Sequence, residues 1–153
     1  MLNNGDRIPA ATLTISDGST INLAGLEGRA LVLYFYPKAD TPGCTNEAKD
    51  FSNLAADFDA IGVRVIGVSK DSPKKLAKVA EKYSLGVLLG SDENGHVTED
   101  FGAWVEKSMY GKTYMGIERC TFLFNAEGVL IRQWRKVKVK GHADEGLAAA
   151  RAM

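Results

Sequence analysis

The chain has 153 residues, 45% hydrophobic and 25% charged, which is the size and balance of a single globular domain spanning residues 1–153 with its own core. Lys and Arg equal Asp and Glu at 19 each, so no net field favours nucleic acid or an anionic membrane, and the longest apolar run, Ala30 to Tyr36, is too short to cross a bilayer. Two cysteines are too few for a disulfide framework, so any cysteine chemistry is expected to be reactive and not structural. The polar opening "MLNNGDRIPA" has neither the basic flank nor the apolar stretch of a secretory signal, and the expected location is cytoplasmic.

In chain order, "TLTISDGSTINL" alternates apolar and polar residues around Asp17-Gly18, a dipeptide suited to a tight turn, and predicts an N-terminal β-hairpin. "ALVLYFY" is continuously apolar, as expected of a strand buried on both faces. Pro42 to Ala60 carries apolar residues at helical spacing, and "VRVIGVS" reads as a second buried strand. "SPKKLAKVAEKY" opens with Ser72 as N-cap and Pro73 at the first helical position. "VTEDFGAWVEK" is expected to form a short helix. "IERCTFLFNAEGVLIRQWRKV" is expected to form a hairpin turning at Asn125 to Gly128, and "HADEGLAAARAM" a closing helix. The alternation of strand and helix predicts an α/β fold, a central mixed sheet with helices packed on it.

Cys44 stands out within "YFYPKADTPGCTNEAKDF". Thr41 precedes a proline, which disfavours α geometry there, and Thr is a good N-cap; Pro42 is then the first helical residue and Cys44 the third. In a first turn, unpaired backbone N–H groups and the positive end of the helix dipole favour a thiolate over a thiol. Ala48, Phe51, Ala55 and Phe58 follow at steps of four, three, four and three, so the sulfur lies at the edge of the core-facing stripe, partly shielded from water. Position alone is equally that of a small buried hydrophobe.

In "IERCTFLF", strand alternation puts Ile117, Arg119, Thr121 and Leu123 on one face and Glu118, Cys120, Phe122 and Phe124 on the other. An Arg in so apolar a strand needs an anion or several acceptors, a thiolate or an active-site carboxylate among them; the alternative is a strand-end Arg reaching solvent or a surface Glu.

Pro37, Thr41 and Cys44, followed much later by Arg119, resemble the active-site signature of the peroxiredoxins. "YFYPKADTPGCTNEA", "MYGKTYMGIERCTFLF" and "KVKVKGHADE" resemble the bacterioferritin-comigratory, or Q-type, subgroup over nearly the whole chain. The resemblance implies a thioredoxin-like fold and a thiol peroxidase acting on hydrogen peroxide and organic hydroperoxides through a Cys44 sulfenic acid. It implies that Thr41 hydrogen-bonds the sulfur or peroxide, that Arg119 stabilises the thiolate and the charge on the breaking O–O bond, and that Pro37 shields the pocket. The backbone N–H groups of Gly43 and Cys44 are placed to aim at the peroxide, Gly43 permits close approach to the main chain, and Glu47, one turn on, either holds Arg119 or is solvated. Many Q-type members carry a resolving cysteine five residues after the first, or in the following helix; those positions here are Lys49 and Ser84. Cys120 reads as a core thiol on the opposite strand face, so a one-cysteine enzyme regenerated by an external thiol (thioredoxin, glutaredoxin or a small thiol) is expected, as a monomer and with no cofactor.

His96, His142 and two distant cysteines have no metal-ligand spacing, so no metal site is expected. "RQWRKVKVK" is basic, but Lys136, Lys138 and Lys140 alternate with Val137 and Val139 as on a strand with one wet face, and no nucleic-acid partner is expected. Trp104 and Tyr110 either wall the pocket or belong to the core. Two other function classes stay open: a thiol-disulfide oxidoreductase, disfavoured because "TPGC" has Thr41 where a C-x-x-C pair needs its first cysteine, and a non-enzymatic binding or holdase module in which Cys44 is inert.

Overall fold

The computed structural model describes residues 2–26 and 28–153; Met1 and Glu27 lie outside it. Its elements are β1 (Thr12–Ile15), β2 (Thr20–Asn22), a 3-10 turn (Leu23–Leu26), β3 (Ala30–Phe35), α1 (Pro42–Asn53), α2 (Ala55–Ala60), β4 (Val63–Ser69), α3 (Pro73–Lys82) and β5 (Leu88–Ser91). There follow α4 (Val97–Asp100), β6 (Trp104–Met109), β7 (Lys112–Ile117), β8 (Cys120–Phe124), β9 (Leu130–Trp134) and α5 (His142–Arg151). A seven-stranded sheet runs in the order β2-β1-β5-β4-β3-β8-β9, and β6 pairs with β7 in a separate two-stranded ribbon. β3, β4 and β5 are parallel, while β8 runs antiparallel to β3 and β9 antiparallel to β8.

β3 lies at the centre and every one of its residues is buried. Its alternation divides the interior in two. Val32, Tyr34 and Tyr36 join Cys44, Phe51, Phe58, Leu76, Val79 and Leu147 under α1, α2, α3 and α5. Leu31, Leu33 and Phe35 join Leu23, Val97, Phe101, Phe122 and Phe124 on the other side. The Tyr34 ring stacks on Phe51 at 4.6 Å between centroids and crosses its register partner, Gly67.

The N-terminal hairpin, the two buried strands, the Ser72 cap and the closing helix form where expected; the Ser72 side chain accepts from the Lys75 backbone N–H at 3.2 Å. Four expectations are corrected. The helix beginning at Pro42 stops at Asn53 and restarts at Ala55, because Ser52 and Asn53 are weak interior helix residues and the Ser52 hydroxyl is taken by the Gly86 N–H at 3.0 Å. The helix at Val97 ends at Asp100, and Trp104 begins β6. Ile117 packs with Phe101 on the face opposite to Leu123, since Glu118 and Arg119 interrupt the strand and break the alternation. Lys136, Lys138 and Lys140 are exposed and Val137 and Val139 half-buried, yet the segment is an irregular connection, with Lys136 at φ +48°.

Gly67 admits no side chain: a Cβ there would stand 2.5 Å from Tyr34 Cζ and Oη. Gly67→Ala is expected to destabilise the fold by about 1–3 kcal/mol or more through overpacking, read as a lower urea midpoint at unchanged m.

Candidate active site

The segment between β3 and α1 is tied down at several points. The Tyr36 N–H donates to Val68 O at 3.1 Å, extending the parallel pairing, and the Ala39 N–H donates to Asp71 Oδ2 at 2.7 Å. Asp71 also accepts from the Ser69 hydroxyl at 2.8 Å and pairs with Lys75 at 3.1 Å. Asp40, at φ +63°, accepts from the Tyr83 hydroxyl at 2.5 Å and pairs with Lys82, fastening the segment to the end of α3. These two partners, Tyr83 first, hold the Asp40 carboxyl below its usual range.

Thr41 occupies the N-cap position in extended geometry, φ −104° and ψ 157°, but its side chain does not cap the helix. Its hydroxyl donates to Lys38 O at 2.8 Å. Pro42 opens α1, so Cys44 is the third helical residue, and its side chain is buried in the face shared with Ala48 and Phe51. A crevice of about 10 Å³, room for roughly one water, lies beside Cys44 between Tyr36, Ala39, Val79, Tyr83 and Leu89. Pro37 is exposed at the end of β3.

Arg119 enters from the break between β7 and β8, its carbonyl accepting from the Val137 N–H at 2.9 Å. Nη2 donates to Cys44 Sγ at 3.3 Å and Nη1 to Glu47 Oε1 at 2.7 Å. Burial opposes the guanidinium charge, but Glu47 and Cys44 outweigh it and hold Arg119 charged. Glu47 is only 1% exposed, and its second oxygen has no hydrogen-bond partner. Burial pushes its carboxyl up to about 7, against the pull of Arg119 toward the charged form. Gly43 gives the guanidinium room: a Cβ there would stand 3.3 Å from Arg119 Nη2.

Four residues singled out in the sequence, Cys44, Gly43, Glu47 and Arg119, therefore meet in one cluster, with Thr41 at the head of the same helix. Others lie apart. Lys49 is exposed, with its ammonium 4.9 Å from the Tyr83 ring centre; Ser84 is exposed just beyond α3, at φ +51°, and not within that helix. Cys120 is fully buried on the other face of the sheet, where burial pushes its thiol up to about 12. Tyr110 is 96% exposed at the turn of the β6–β7 ribbon and walls nothing, while Trp104 packs beneath Lys70, 5.3 Å from its ring centre. His96 pairs with Asp100 at 2.8 Å, and buried His142 meets the Thr121 hydroxyl at 2.7 Å. Lys107 on β6, which sequence reasoning did not single out, interacts electrostatically with both Arg119 and Cys44. Gly111, set between two short runs that carry aromatic and β-branched residues, "WVEKSM" and "KTYMGI", was the available turn signal for its ribbon.

Residues 4–133 match the AhpC/TSA family. Peroxiredoxin Bcp of Bacillus subtilis is 46% identical over 149 residues, covering 97% of this chain and 95% of the relative. The chain belongs to the AhpC/TSA family and is a peroxiredoxin. Among solved structures, peroxiredoxin Q of Xanthomonas campestris superposes with a TM-score of 0.89 at 45% identity, covering 93% of this chain and 90% of that one. A second structure from that organism, a trapped intermediate/ligand complex of its bacterioferritin comigratory protein bearing on alkyl peroxide reduction, superposes with a TM-score of 0.90 at 43% identity, covering 96% and 98%. The fold of this peroxiredoxin is accordingly thioredoxin-like, a central mixed sheet flanked by helices with an N-terminal hairpin.

The Glu47 carboxyl gives a pH prediction. Between its ordinary value of 4.5 and about 7, the folded state keeps a proton that the unfolded chain has released, so this group makes stability fall as pH rises through that window. Glu47→Gln has no such proton to keep. The wild-type minus variant difference in unfolding free energy is expected to decline by about 3 kcal/mol across the window and to be level on either side. A difference independent of pH would mean that Glu47 ionises as it does in the unfolded chain.

Proposed function

We propose that the chain is a thiol peroxidase that reduces hydrogen peroxide and organic hydroperoxides at Cys44 and is regenerated by an external thiol. The observation that carries this reading is the placement of Cys44 Sγ in the first turn of α1, 3.3 Å from Arg119 Nη2. A guanidinium at that distance favours an anionic sulfur, and the free N–H groups of the first helical turn add to it.

In the proposed reaction the thiolate attacks the terminal peroxide oxygen. The S–O bond forms as the O–O bond breaks, and the departing oxygen takes a proton and leaves as water or an alcohol. Arg119 faces both the sulfur and the charge that develops on the leaving oxygen. The Thr41 hydroxyl hydrogen is committed to Lys38 O, so its oxygen lone pairs remain to accept from the peroxide O–H and turn it toward the sulfur. Gly43 and Cys44 supply backbone N–H groups, and Pro37 borders the approach without a donor of its own. Glu47 holds the guanidinium plane.

The return half-reaction needs two thiol equivalents. One condenses with the sulfenic acid, releasing water and leaving a mixed disulfide on Cys44; the second displaces it and restores the thiolate. Lys49 and Ser84 offer no sulfur, and Cys120 lies across the sheet, so both equivalents come from outside, from thioredoxin, glutaredoxin or a small thiol. We take the protein to work as a cytoplasmic monomer of one domain without a cofactor. No helix among the described residues is long and apolar enough to cross a membrane.

One equivalent of hydrogen peroxide should add 16 Da to the reduced protein and, with dimedone present, place the adduct on Cys44. An unmodified Cys44 would overturn the peroxidase reading, and a Cys44 to Cys120 disulfide as main product would overturn the one-cysteine reading. Arg119→Ala should slow peroxide reduction on the order of 10² to 10³-fold by analogy with the loss of an oxyanion donor. Near-normal turnover with an intact fold would make Arg119 structural.

A further inference from the structure

Lys107 carries its charge at the edge of the site. Among the described residues it makes no hydrogen bond or ion pair, although it is half-buried. It stands opposite Tyr114 in the β6–β7 register, and its stem lies over Gly116, where a Cβ would come 3.3 Å from its Cδ and 3.5 Å from its Cε. The ribbon carrying it runs through Ile117 and Glu118 directly into Arg119, so Lys107 and Arg119 approach Cys44 from the same structural arm. Burial, with Arg119 second, lowers the Lys107 ammonium below its ordinary range, while Cys44 and Glu118 oppose that. Glu118 is already committed to Arg135 at 2.8 Å, and Glu47 to Arg119. Arg119 and Lys107 thus both act electrostatically on the sulfur, and a half-buried cation with no ion pair among the described residues gains when an anion arrives. On the same face Tyr114, 46% exposed, stands across from Lys107, and half-buried Val105 lies one step nearer Arg119 as apolar surface.

We propose that Lys107 is a specificity-determining residue that binds the anionic group of a carboxylate-bearing organic hydroperoxide, whose apolar body lies along the ribbon between Lys107 and Arg119 while its peroxide end reaches Cys44. This rests on the peroxidase reading above. It assigns to the ribbon a recognition role distinct from the chemistry at Cys44, Thr41 and Arg119. Arginine at 107 keeps the charge; glutamine keeps the stem length and removes it.

The test compares cumene hydroperoxide with the same molecule bearing a ring carboxylate, so that only charge differs. Peroxide consumption is followed for the full-length wild type, Lys107→Gln and Lys107→Arg with a small neutral thiol as reductant. Lys107→Gln is expected to lower kcat/KM for the carboxylated substrate about 5- to 10-fold, chiefly through KM, and to change the neutral one less than about twofold. Lys107→Arg should retain the preference, and added salt should weaken it in the wild type and in Lys107→Arg but not in Lys107→Gln. An equal loss on both substrates would make Lys107 a stabiliser of the sulfur anion and overturn the recognition role, as would no loss on either. Failure of the wild type to consume even the neutral hydroperoxide would instead remove the peroxidase reading, and this inference with it.

Discussion

A half-buried guanidinium is the constraint from which the site follows. Arg119 sits with little solvent access, and taking its charge out of water costs several kcal/mol unless anions and acceptors replace the lost hydration. Its fork meets Glu47 with one nitrogen and Cys44 with the other. Each partner in turn depends on the Arg: without it Glu47 would be a buried acid with no counterion, and the sulfur would be a small apolar group in a core of aromatic rings. The smallness of residue 43 follows from the same demand, since any side chain there would press on the guanidinium.

The position of that fork is set by elements far apart in sequence. Helix α1 brings Cys44 and Glu47, three residues apart on one face, and the break between β7 and β8 brings Arg119, with its carbonyl tied to the Val137 N–H. The segment before α1 is held mainly by polar ties, Asp71 on the Ala39 N–H and Asp40 on Tyr83 and Lys82, from the connection between β4 and α3 and from the end of α3. Ties of this kind fix Thr41 and the first helical N–H groups before any ligand arrives, which lowers the ordering cost that a flexible loop would bring to each encounter.

The parts of this arrangement legible in the sequence are those governed by local rules. Thr41-Pro42 fixed the start of a helix and so the helical position of Cys44; the apolar runs marked β3 and β4; Ser72-Pro73 marked α3. What local pattern could not carry was decided by tertiary contact. Thr41 has the right residue type and backbone for a cap, yet its hydroxyl turns to Lys38 O. "DFGAWVEK" has an apolar spacing compatible with a helix, but Asp100 ends it and Trp104 pairs with Ile117 across the ribbon. Ile117 changes face because the strand stops at Glu118 and Arg119, and the alternation of Lys136 to Lys140 records which side touches the protein without any strand being present. Glu47 was legible as a neighbour of Cys44 on the helix, but its burial was not, because that depends on a cation 72 residues away.

The two cysteines are the same residue type in opposite environments, and the proposed cycle rests on that difference. Cys120 pairs with Phe35 across the β3–β8 ladder and packs among Phe101 and Phe122, where burial favours the neutral thiol and pushes it up to about 12. Cys44 is nearly as buried, at 4% exposure, but it faces a guanidinium and lies at a helix start instead of within a strand. Both sulfurs are buried, so the difference between them lies in what each sulfur meets at its surface. The sheet lies between them, and in the proposed cycle it keeps Cys120 out of reach of Cys44. In the proposed cycle an oxidised Cys44 is therefore met first by whatever thiol can enter from solvent past Thr41 and the β6–β7 ribbon, and the surface charge of that ribbon becomes part of the chemistry it borders.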